Sequence, residues 1–195
     1  VFEYYGEEAE SLKRDKVNPQ MFNSFLDGTK SAIEMAAVAN ATGLVPQAGG
    51  LQFPPVGIDA LPEVLRPADD GGILERAGTV EVVSCLEPDG RPVSHDLRWG
   101  VYVVVSSGHG YVQECFRQYG IPTDASGRYA AAWRPNHWIG LELGLSIARA
   151  ALSGEPTGTP ASVVGEVVAR CKSDWPAGHR LDGEGGFSAY GWLVP

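Results

Sequence analysis

The sequence predicts an α+β protein, and three features along the chain support that prediction. Residues 18–43, "NPQMFNSFLDGTKSAIEMAAVANATG", are apolar or small almost all the way round, which is typical of a largely buried helix. The segments "TVEVVSCLE" and "WGVYVVVSS" are rich in β-branched residues and predict strands. After Gly154 the composition changes, and residues 155–195 predict short strands joined by tight turns.

Both ends of the long helix are marked in the sequence. Asn18 is a favourable N-cap, and Pro19 suits the first helical position, where its missing N–H costs nothing. Gly43 stands where a helix commonly ends in a left-handed conformation. A single helix from residue 18 to residue 43 is therefore predicted.

The other elements follow from local composition. Residues 1–16 predict a short lead-in helix, and the Pro- and Gly-rich stretch after Gly43 predicts an irregular loop with one helical turn near "DALPEVL". The two β-rich segments are separated by "PDGRP" and are expected to pair as antiparallel neighbours. "GYVQECFRQYG" and "PNHWIGLELGLSIARAALSG" predict two further helices. Because "EPTGTPAS" is typical of a linker, the predicted domains are residues 1–154 and residues 155–195.

Composition and charge exclude several classes of protein. The net charge of −9 and the absence of any Lys or Arg block argue against nucleic acid and anionic membranes as partners. No apolar run reaches the ~20 residues that cross a bilayer, and the start does not resemble a signal peptide. Three scattered cysteines, Cys85, Cys115 and Cys171, indicate reduced thiols, so a cytoplasmic location is predicted. The missing initiator Met favours a piece of a longer chain.

Four polar residues form a stripe on the predicted long helix. At about 100° per residue, Asn23, Asp27, Lys30 and Glu34 lie within roughly 60° of one another. One interpretation is a ladder of exposed ion pairs, each contributing a few tenths of a kcal/mol. The other is a catalytic strip, in which a lysine held by flanking carboxylates protonates or stabilises a reacting oxygen. The spacing alone does not decide between them.

A second candidate cluster lies in "WRPNHW". Arg134 could bind a carboxylate or phosphate through its planar guanidinium, and His137 is expected at the start of a helix, where it either caps or binds substrate. His109 is a weaker candidate in a loop. No HExxH, EF-hand or Cys/His cluster occurs, so no metal site made of protein ligands alone is predicted. The sequence leaves open a second possibility, a Mg²⁺ or Mn²⁺ ion held jointly by the protein and the substrate.

Several segments together resemble one known family. They are, in order, "NPQMFNSFLDGTKSAIEMAAVANATGLVPQ", "DGGIL", "GVYVVVSSGH", "RPNHWIGLELGLSIARAALSGEPT" and "VVARCKSDWPAGHRLDGEGGFSAYG". They resemble the homoserine-dehydrogenase-like oxidoreductases that end in a SAF domain, which include the deoxyxylulose-phosphate reductoisomerase-like enzymes. The resemblance implies a substrate-binding and catalytic domain followed by a small β-rich, β-clip-like SAF domain at residues 155–195.

The family also implies a nicotinamide cofactor, NADP or NAD. Its full-length members begin with a Rossmann domain, whereas no strand–GxGxxG–helix unit occurs in this sequence. "SSGHGYV" and "GEGGFSAYG" lack the flanking elements and are interpreted as turns. The Rossmann domain is therefore expected to be absent from this chain, and the cofactor to be bound mainly outside it.

The resemblance assigns roles to the charged stripe. Lys30 would stabilise or protonate the reacting oxygen as hydride arrives, while Asp27 would orient Lys30 or hold a substrate hydroxyl. Asn23, Glu34, Arg134 and His137 are expected to bind substrate, although Glu34 could equally be a structural partner of Lys30. The DxxK spacing of Asp27 and Lys30 differs from that of homoserine dehydrogenases proper, so these roles are transferred by helix and not by alignment.

The predicted function is the catalytic half of an NAD(P)H-dependent oxidoreductase acting on a small polar hydroxy or keto metabolite. The reaction would be hydride transfer, alone or coupled to a carbon-skeleton isomerisation, in a homo-oligomer. Two alternatives stay open. One is a non-enzymatic, SAF-containing binding or oligomerisation module; the other is a nicotinamide-independent isomerase or lyase using the same Lys–Asp pair.

Overall fold

A computed structural model describes residues 18–195 together with Glu10, Lys13 and Lys16. The described residues mix helices with small sheets, which confirms the α+β class. The lead-in helix predicted for residues 1–16 lies mostly outside the described residues. In chain order the elements are α1 (Pro19–Leu26), α2 (Thr29–Thr42), β1 (Val45–Pro46), α3 (Leu61–Val64), β2 (Thr79–Val80), β3 (Val101–Ser106), α4 (Gly110–Gln118), β4 (Tyr129–Arg134), α5 (Leu143–Ser153), β5 (Glu166–Cys171) and β6 (Ala189–Val194).

The chain divides into two compact units. Unit 1 combines Val1–Gln52, Thr79–Val82 and Pro160–Pro195, and unit 2 combines Phe53–Gly78 and Val83–Thr159. The chain passes from unit 2 to unit 1 close to the boundary predicted at residue 155. Because unit 1 also holds the first helices, the units are discontinuous in sequence. The division into continuous domains 1–154 and 155–195 stays a prediction.

The single helix predicted for residues 18–43 is wrong, because the chain breaks at Asp27 and Gly28. Gly28 takes a left-handed conformation with φ of 83°, and α2 starts after it. The Asp27 carboxylate accepts the Thr29 N–H at 3.0 Å, which satisfies a donor in the first turn of α2. An Asp-Gly pair favours such a turn, since Asp bonds the backbone two residues on and Gly tolerates positive φ.

The predicted outer ends of this region are confirmed. Asn18 caps α1, accepting the N–H groups of Gln20 and Met21 at 3.0 and 3.4 Å, and Pro19 is the first helical residue. At the other end, Gly43 has φ of 77° and donates to the Ala39 carbonyl at 2.8 Å. The cap residues therefore predicted the limits of the region correctly, although the interior contains two helices.

Within unit 1 the C-terminal strands pack against α2. The Gly191 N–H in β6 donates to the Thr29 hydroxyl at 2.9 Å. The Asn40 amide accepts the N–H groups of Val164 and Gly165 at 2.8 and 3.0 Å and donates back to the Gly165 carbonyl at 3.0 Å. These bonds join the first helices and the last strands in one unit.

The C-terminal segment forms an antiparallel hairpin, as its turn-rich composition predicted. In the hairpin, Glu166 lies opposite Val194 and Cys171 lies opposite Ala189. Residues 172–188 connect the two strands and include the segment "KSDWPAGHRLDGEG". The assignment of this hairpin to a SAF domain stays a prediction.

The pairing predicted between "TVEVVSCLE" and "WGVYVVVSS" is wrong. Thr79–Val80 pairs in parallel with Val45–Pro46, whereas Val101–Ser106 pairs antiparallel with Tyr129–Arg134. Strand β4 begins with three residues of high burial, of which Ala131 is fully buried. Tyr129 and Trp133 favour a strand, whereas the three alanines between them have low β-propensity, so the burial of Ala130 and Ala131 helps to stabilise this strand.

The core of unit 2 lies beneath this sheet. Its buried side chains are Val56, Leu61, Leu65, Leu74, Leu97 and Ala131. Tyr102 and Val104, from one face of β3, pack against them. The helical turn predicted at "DALPEVL" is confirmed, since Ile58–Ala60 forms a 3-10 turn that leads into α3. The helix predicted at "GYVQECFRQYG" is confirmed as α4.

The helix predicted from "PNHWIG" onward starts later than expected. It begins at Leu143, after a turn in which Gly140 takes a φ of 79°. The His137 N–H donates to the Trp99 carbonyl at 2.9 Å and holds this turn against the start of β3. His137 is therefore not at a helix start, and the prediction that placed it there is wrong.

A buried ion-pair network also belongs to unit 2. The Asp124 side chain is 1% exposed and pairs with Arg66 at 2.8 Å. The Asp124 carboxylate also accepts the Ser126 hydroxyl at 2.6 Å and the Tyr129 N–H at 2.8 Å. On the other side, Arg66 contacts Glu63 at 2.5 Å. This network links the segment after α3 to the turn that precedes β4.

Candidate active site

The candidate site centres on the corner between α1 and α2. The Asp27 side chain is 12% exposed, and its second oxygen pairs with the Lys172 ammonium at 2.7 Å. Lys172 also donates to the Gly186 carbonyl at 2.6 Å. Because both oxygens of Asp27 are engaged, one by Thr29 and one by Lys172, the corner is fixed from within and from the C-terminal hairpin.

Asn23 makes a second bond to the same loop. Its amide nitrogen donates to the Gly185 carbonyl at 2.8 Å, and Gly185 takes a φ of 69°. A Cβ at Gly185 would lie 1.8 Å from the Gln20 carbonyl oxygen, so only glycine fits against α1 at this position. The loop between β5 and β6 therefore contacts both Asn23 and Asp27.

Asp182 makes several hydrogen bonds within the loop between β5 and β6. Its carboxylate accepts the Ser188 hydroxyl and, at 2.7 and 3.0 Å, the N–H groups of Phe187 and Ser188. The hydrogen bond from the Ser188 hydroxyl, followed by the two N–H groups, holds the pKa of Asp182 well below its ordinary value. The ionised carboxylate is thus the form that the folded loop favours.

Lys30 lies on α2, close to the corner. Its ammonium pairs with Glu34 at 2.8 Å and lies 5.4 Å from the centre of the Phe25 ring. The Lys30 side chain is 32% exposed and that of Glu34 is 49% exposed. An exposed pair of this kind contributes little to stability.

The charged residues of the predicted stripe do not all pair with one another. Lys30 and Glu34 form the expected i,i+4 pair, whereas Asp27 pairs with Lys172. The sequence interpretation missed Lys172, Asp182 and Ser188 as parts of this site. The available signal was the lysine directly after β5, in "CKSDW", but the distance of 145 residues between Lys172 and Asp27 gives no local pattern.

Arg134 and His137 belong to unit 2. The Arg134 guanidinium lies 3.6 Å from the Glu142 carboxylate, with 57% of its side chain exposed. The Nδ1–H of His137 donates to the Trp99 carbonyl at 2.7 Å, which leaves Nε2 as the acceptor of the neutral ring. His109, the weaker candidate, accepts the Tyr111 N–H at 3.3 Å and caps α4.

Among residues 18–195 and the three described before them, no group of three or more His, Cys, Asp and Glu side chains is placed to hold a metal ion. The three sheets of this part of the chain are two-stranded and do not include the strand–turn–helix unit that holds a dinucleotide. No helix in the described part of the chain has the length and apolarity that a membrane span requires.

Comparison with known families identifies the chain as the catalytic domain of an oxidoreductase. The model of the family described as "Oxidoreductase DRL, catalytic domain" matches residues 3–143, well over half of the sequence, and the chain belongs to this family. Asn23, Asp27, Lys30 and Glu34 all lie inside the matched range, whereas Lys172 lies beyond it. No curated protein matches the chain.

Asp182→Asn is expected to loosen residues 172–188. A lowered pKa means that the carboxylate stabilises the folded loop above the ordinary Asp pKa of 3.8, and that this stabilisation is lost as the pH falls through the lower folded pKa. Amide hydrogen exchange at Phe187 and Ser188 should therefore be faster in the variant at neutral pH, with a difference that shrinks as the pH falls below 3.8. Asp174→Asn, in the same loop, is the matched control; equal exchange in the two variants would contradict the prediction.

Proposed function

We propose that the chain forms the substrate-binding and catalytic part of an NAD(P)H-dependent oxidoreductase that acts on a small polar hydroxy or keto compound. The observation that carries the proposal is the family match over residues 3–143, which contains the charged corner between α1 and α2. The nicotinamide supplies hydride when bound, and it is held mainly by a Rossmann domain outside this chain. The reaction is hydride transfer, alone or coupled to a carbon-skeleton isomerisation.

Lys30 is proposed as the catalytic residue. Its ammonium holds a proton at the oxygen of the substrate carbonyl, which becomes the hydroxyl of the product. Glu34 at 2.8 Å and the Phe25 ring at 5.4 Å restrict the ammonium without removing it from solvent. A positive charge aimed at an oxygen that becomes negative in the transition state lowers the barrier most where it is already in place.

Asp27 is proposed to hold the corner and, through a remaining lone pair, a substrate hydroxyl. Its carboxylate keeps acceptor capacity beyond the bonds to Thr29 and Lys172, since two oxygens offer about four lone-pair sites. Asn23, whose amide nitrogen is bound to Gly185, offers its amide oxygen to a substrate hydroxyl. Arg134 and His137, which belong to unit 2, stay sequence-based candidates for binding an anionic group or a hydroxyl.

Further parts of the proposal rest on the sequence. The resemblance favours a SAF-like domain at residues 155–195 and a homo-oligomer, and the three scattered cysteines favour a cytoplasmic location. A divalent ion held jointly with substrate is compatible with the proposal. The cofactor is NADP or NAD.

The test is an activity assay of the complete protein. Reduced NADP or NAD is mixed with a panel of small hydroxy and keto compounds, and cofactor oxidation is followed by absorbance while products are identified by mass. We expect one cofactor oxidised for each carbonyl reduced. Product formation without cofactor oxidation would instead indicate an isomerase or lyase. Ligand binding with no reaction of any compound would indicate a binding module. Either result would overturn the proposal.

A further inference from the structure

Lys172 lies where the chain leaves strand β5 and enters the loop of the C-terminal hairpin. Its backbone N–H donates to the Ser188 carbonyl at 3.0 Å, one position beyond the last strand pair, Cys171 with Ala189. Its side chain is 25% exposed and contacts Asp27 at the corner between α1 and α2. The backbone of the hairpin therefore fixes the position from which this side chain reaches the corner.

Two acceptors hold the Lys172 ammonium. The Asp27 carboxylate accepts one N–H at 2.7 Å, and the Gly186 carbonyl accepts another at 2.6 Å. Gly186 is itself fixed, because its own N–H donates to the Gly183 carbonyl at 3.2 Å and a Cβ at this position would lie 2.3 Å from the Asp182 carboxylate. Since charge-assisted hydrogen bonds are stronger than neutral ones, the loop holds the ammonium against Asp27 in one arrangement.

Lys172 binds the oxygen of Asp27 that the cap of α2 does not use. One carboxylate oxygen accepts the Thr29 N–H at 3.0 Å, and the other accepts Lys172. A carboxylate held through one oxygen alone can still rotate, because the last torsion of an aspartate side chain has broad preferences. With both oxygens bound, the remaining lone pairs of Asp27 point in fixed directions. The pair with Lys172 thus sets the direction of the lone pair that is proposed to receive a substrate hydroxyl.

We propose that Lys172 is a positioning residue of the active site, which acts through Asp27 on substrate binding. This inference rests on the proposed function. Because Lys172 lies beyond the matched residues 3–143, it makes the C-terminal hairpin a part of the site that the family's catalytic domain begins. Lys30 pairs with Glu34 instead, so the proton-donating ammonium does not depend on the bond between Lys172 and Asp27. The role of Lys172 is therefore in affinity for substrate and not in the chemical step.

Lys172→Met is expected to raise KM by about tenfold to a hundredfold, as a displaced binding group does, and to change kcat by less than about threefold. KM is the informative quantity, because a loss of folded protein lowers kcat through the number of active molecules and leaves KM unchanged. Lys172→Arg keeps a cation that can bond a carboxylate, so it should recover part of the affinity. The measurement uses the complete protein, saturating reduced cofactor and the hydroxy or keto compound that the wild type turns over fastest.

Arg180→Gln is the matched control for Lys172→Met. It removes one positive charge from an exposed position in the same loop, so it should leave KM and kcat unchanged. A rise in KM as large as that of Lys172→Met would show that the charge of the loop matters and not the contact with Asp27, and it would overturn the proposal.

A double-variant cycle tests whether Lys172 acts through Asp27. Asp27→Asn keeps an oxygen that can accept the Thr29 N–H but removes the charge that binds Lys172, so it should raise KM by itself. Adding Lys172→Met to it should raise KM by less than about threefold further, since the effects of residues in contact do not add. Two independent effects would multiply, and that result would overturn the proposal.

Amide hydrogen exchange follows the same contact without substrate. The Thr29 N–H donates to Asp27, so its exchange should be faster in Lys172→Met, where the carboxylate can rotate, than in Arg180→Gln. Faster exchange with an unchanged KM would show a purely structural pair, and an unchanged KM in an active protein overturns this inference while the proposed function stands. A wild type that turns over none of the compounds would overturn the proposed function and the role of Lys172 with it.

Discussion

Lys30→Ala is expected to lower turnover by about 10²–10⁴-fold while the protein remains folded. The loss follows from the removal of the proton donor at the reacting oxygen. The fold should persist because Lys30 is 32% exposed and its pair with Glu34 is a surface ion pair. Such pairs contribute about 0.3–0.5 kcal/mol on a helix. The measurement is turnover under saturating substrate, together with the midpoint of urea unfolding.

Two further variants separate catalysis from structure. Glu34→Gln removes the same ion pair but keeps the ammonium, so it should retain most of the turnover that Lys30→Ala loses. Lys30→Arg keeps the charge but donates a proton poorly, because the guanidinium pKa is above 12. Compared with Lys30→Ala, Lys30→Arg should therefore restore the affinity for substrate more than it restores turnover. Wild-type turnover in Lys30→Ala would show that the stripe is only an ion-pair ladder and that the catalytic assignment is wrong.

Asp124→Asn is expected to destabilise unit 2 by about 3–5 kcal/mol, the usual cost of removing one partner from a buried ion pair. The carboxylate is 1% exposed, and the substitution removes its 2.8 Å pair with Arg66, itself only 14% exposed, which keeps only the more exposed Glu63 as a charge partner. The asparagine amide has one accepting oxygen where the carboxylate has two, so it cannot accept all the hydrogen bonds from the Ser126 hydroxyl and the Tyr129 N–H. Urea unfolding followed by tryptophan fluorescence, with hydrogen exchange to locate the change, measures the effect.

The pH dependence provides a second measurement on Asp124. Burial would raise the pKa of this carboxyl, but hydrogen bonds from Ser126 and Tyr129 and the charge of Arg66 outweigh burial and lower the pKa. The stabilisation is therefore present above the ordinary Asp pKa of 3.8 and is lost as the pH falls through the lower folded pKa. The difference in the free energy of unfolding between wild type and Asp124→Asn should therefore become smaller as the pH falls below 3.8.

Asp89→Asn is the matched control for Asp124→Asn. It removes the same charge from a carboxylate that is 56% exposed and paired with an exposed Arg91, so stability should change little. Equal unfolding midpoints for the two variants would contradict the role assigned to the Asp124 network.

Local signals predicted much of the secondary structure. The limits at Asn18 and Gly43 were readable because a cap acts through its own side chain or its own φ. Helix α4 and the C-terminal hairpin were likewise predicted from composition and turn residues. The break at Asp27 and Gly28 was missed because the apolar pattern continues across it, although the Asp-Gly pair could have indicated it.

Nonlocal contacts decided the rest. Strand β4 has three central alanines with low β-propensity, and its burial against the core of unit 2 favours it as the partner of β3. The pairing of Asp27 with Lys172 joins residues 145 positions apart, and no periodicity in a single sequence encodes such a contact.

By itself, then, the sequence determined the α+β class, the outer limits of the α1–α2 region at Asn18 and Gly43, and the stripe residues Asn23, Asp27, Lys30 and Glu34. The tertiary structure alone decided which charges meet: Lys30 with Glu34 within one helix, and Asp27 with a lysine from the C-terminal hairpin. The physical reason is the sequence distance over which each interaction acts. Caps, turns and i,i+4 pairs act over a few residues, whereas burial and long-range ion pairs depend on where the whole chain places its surfaces.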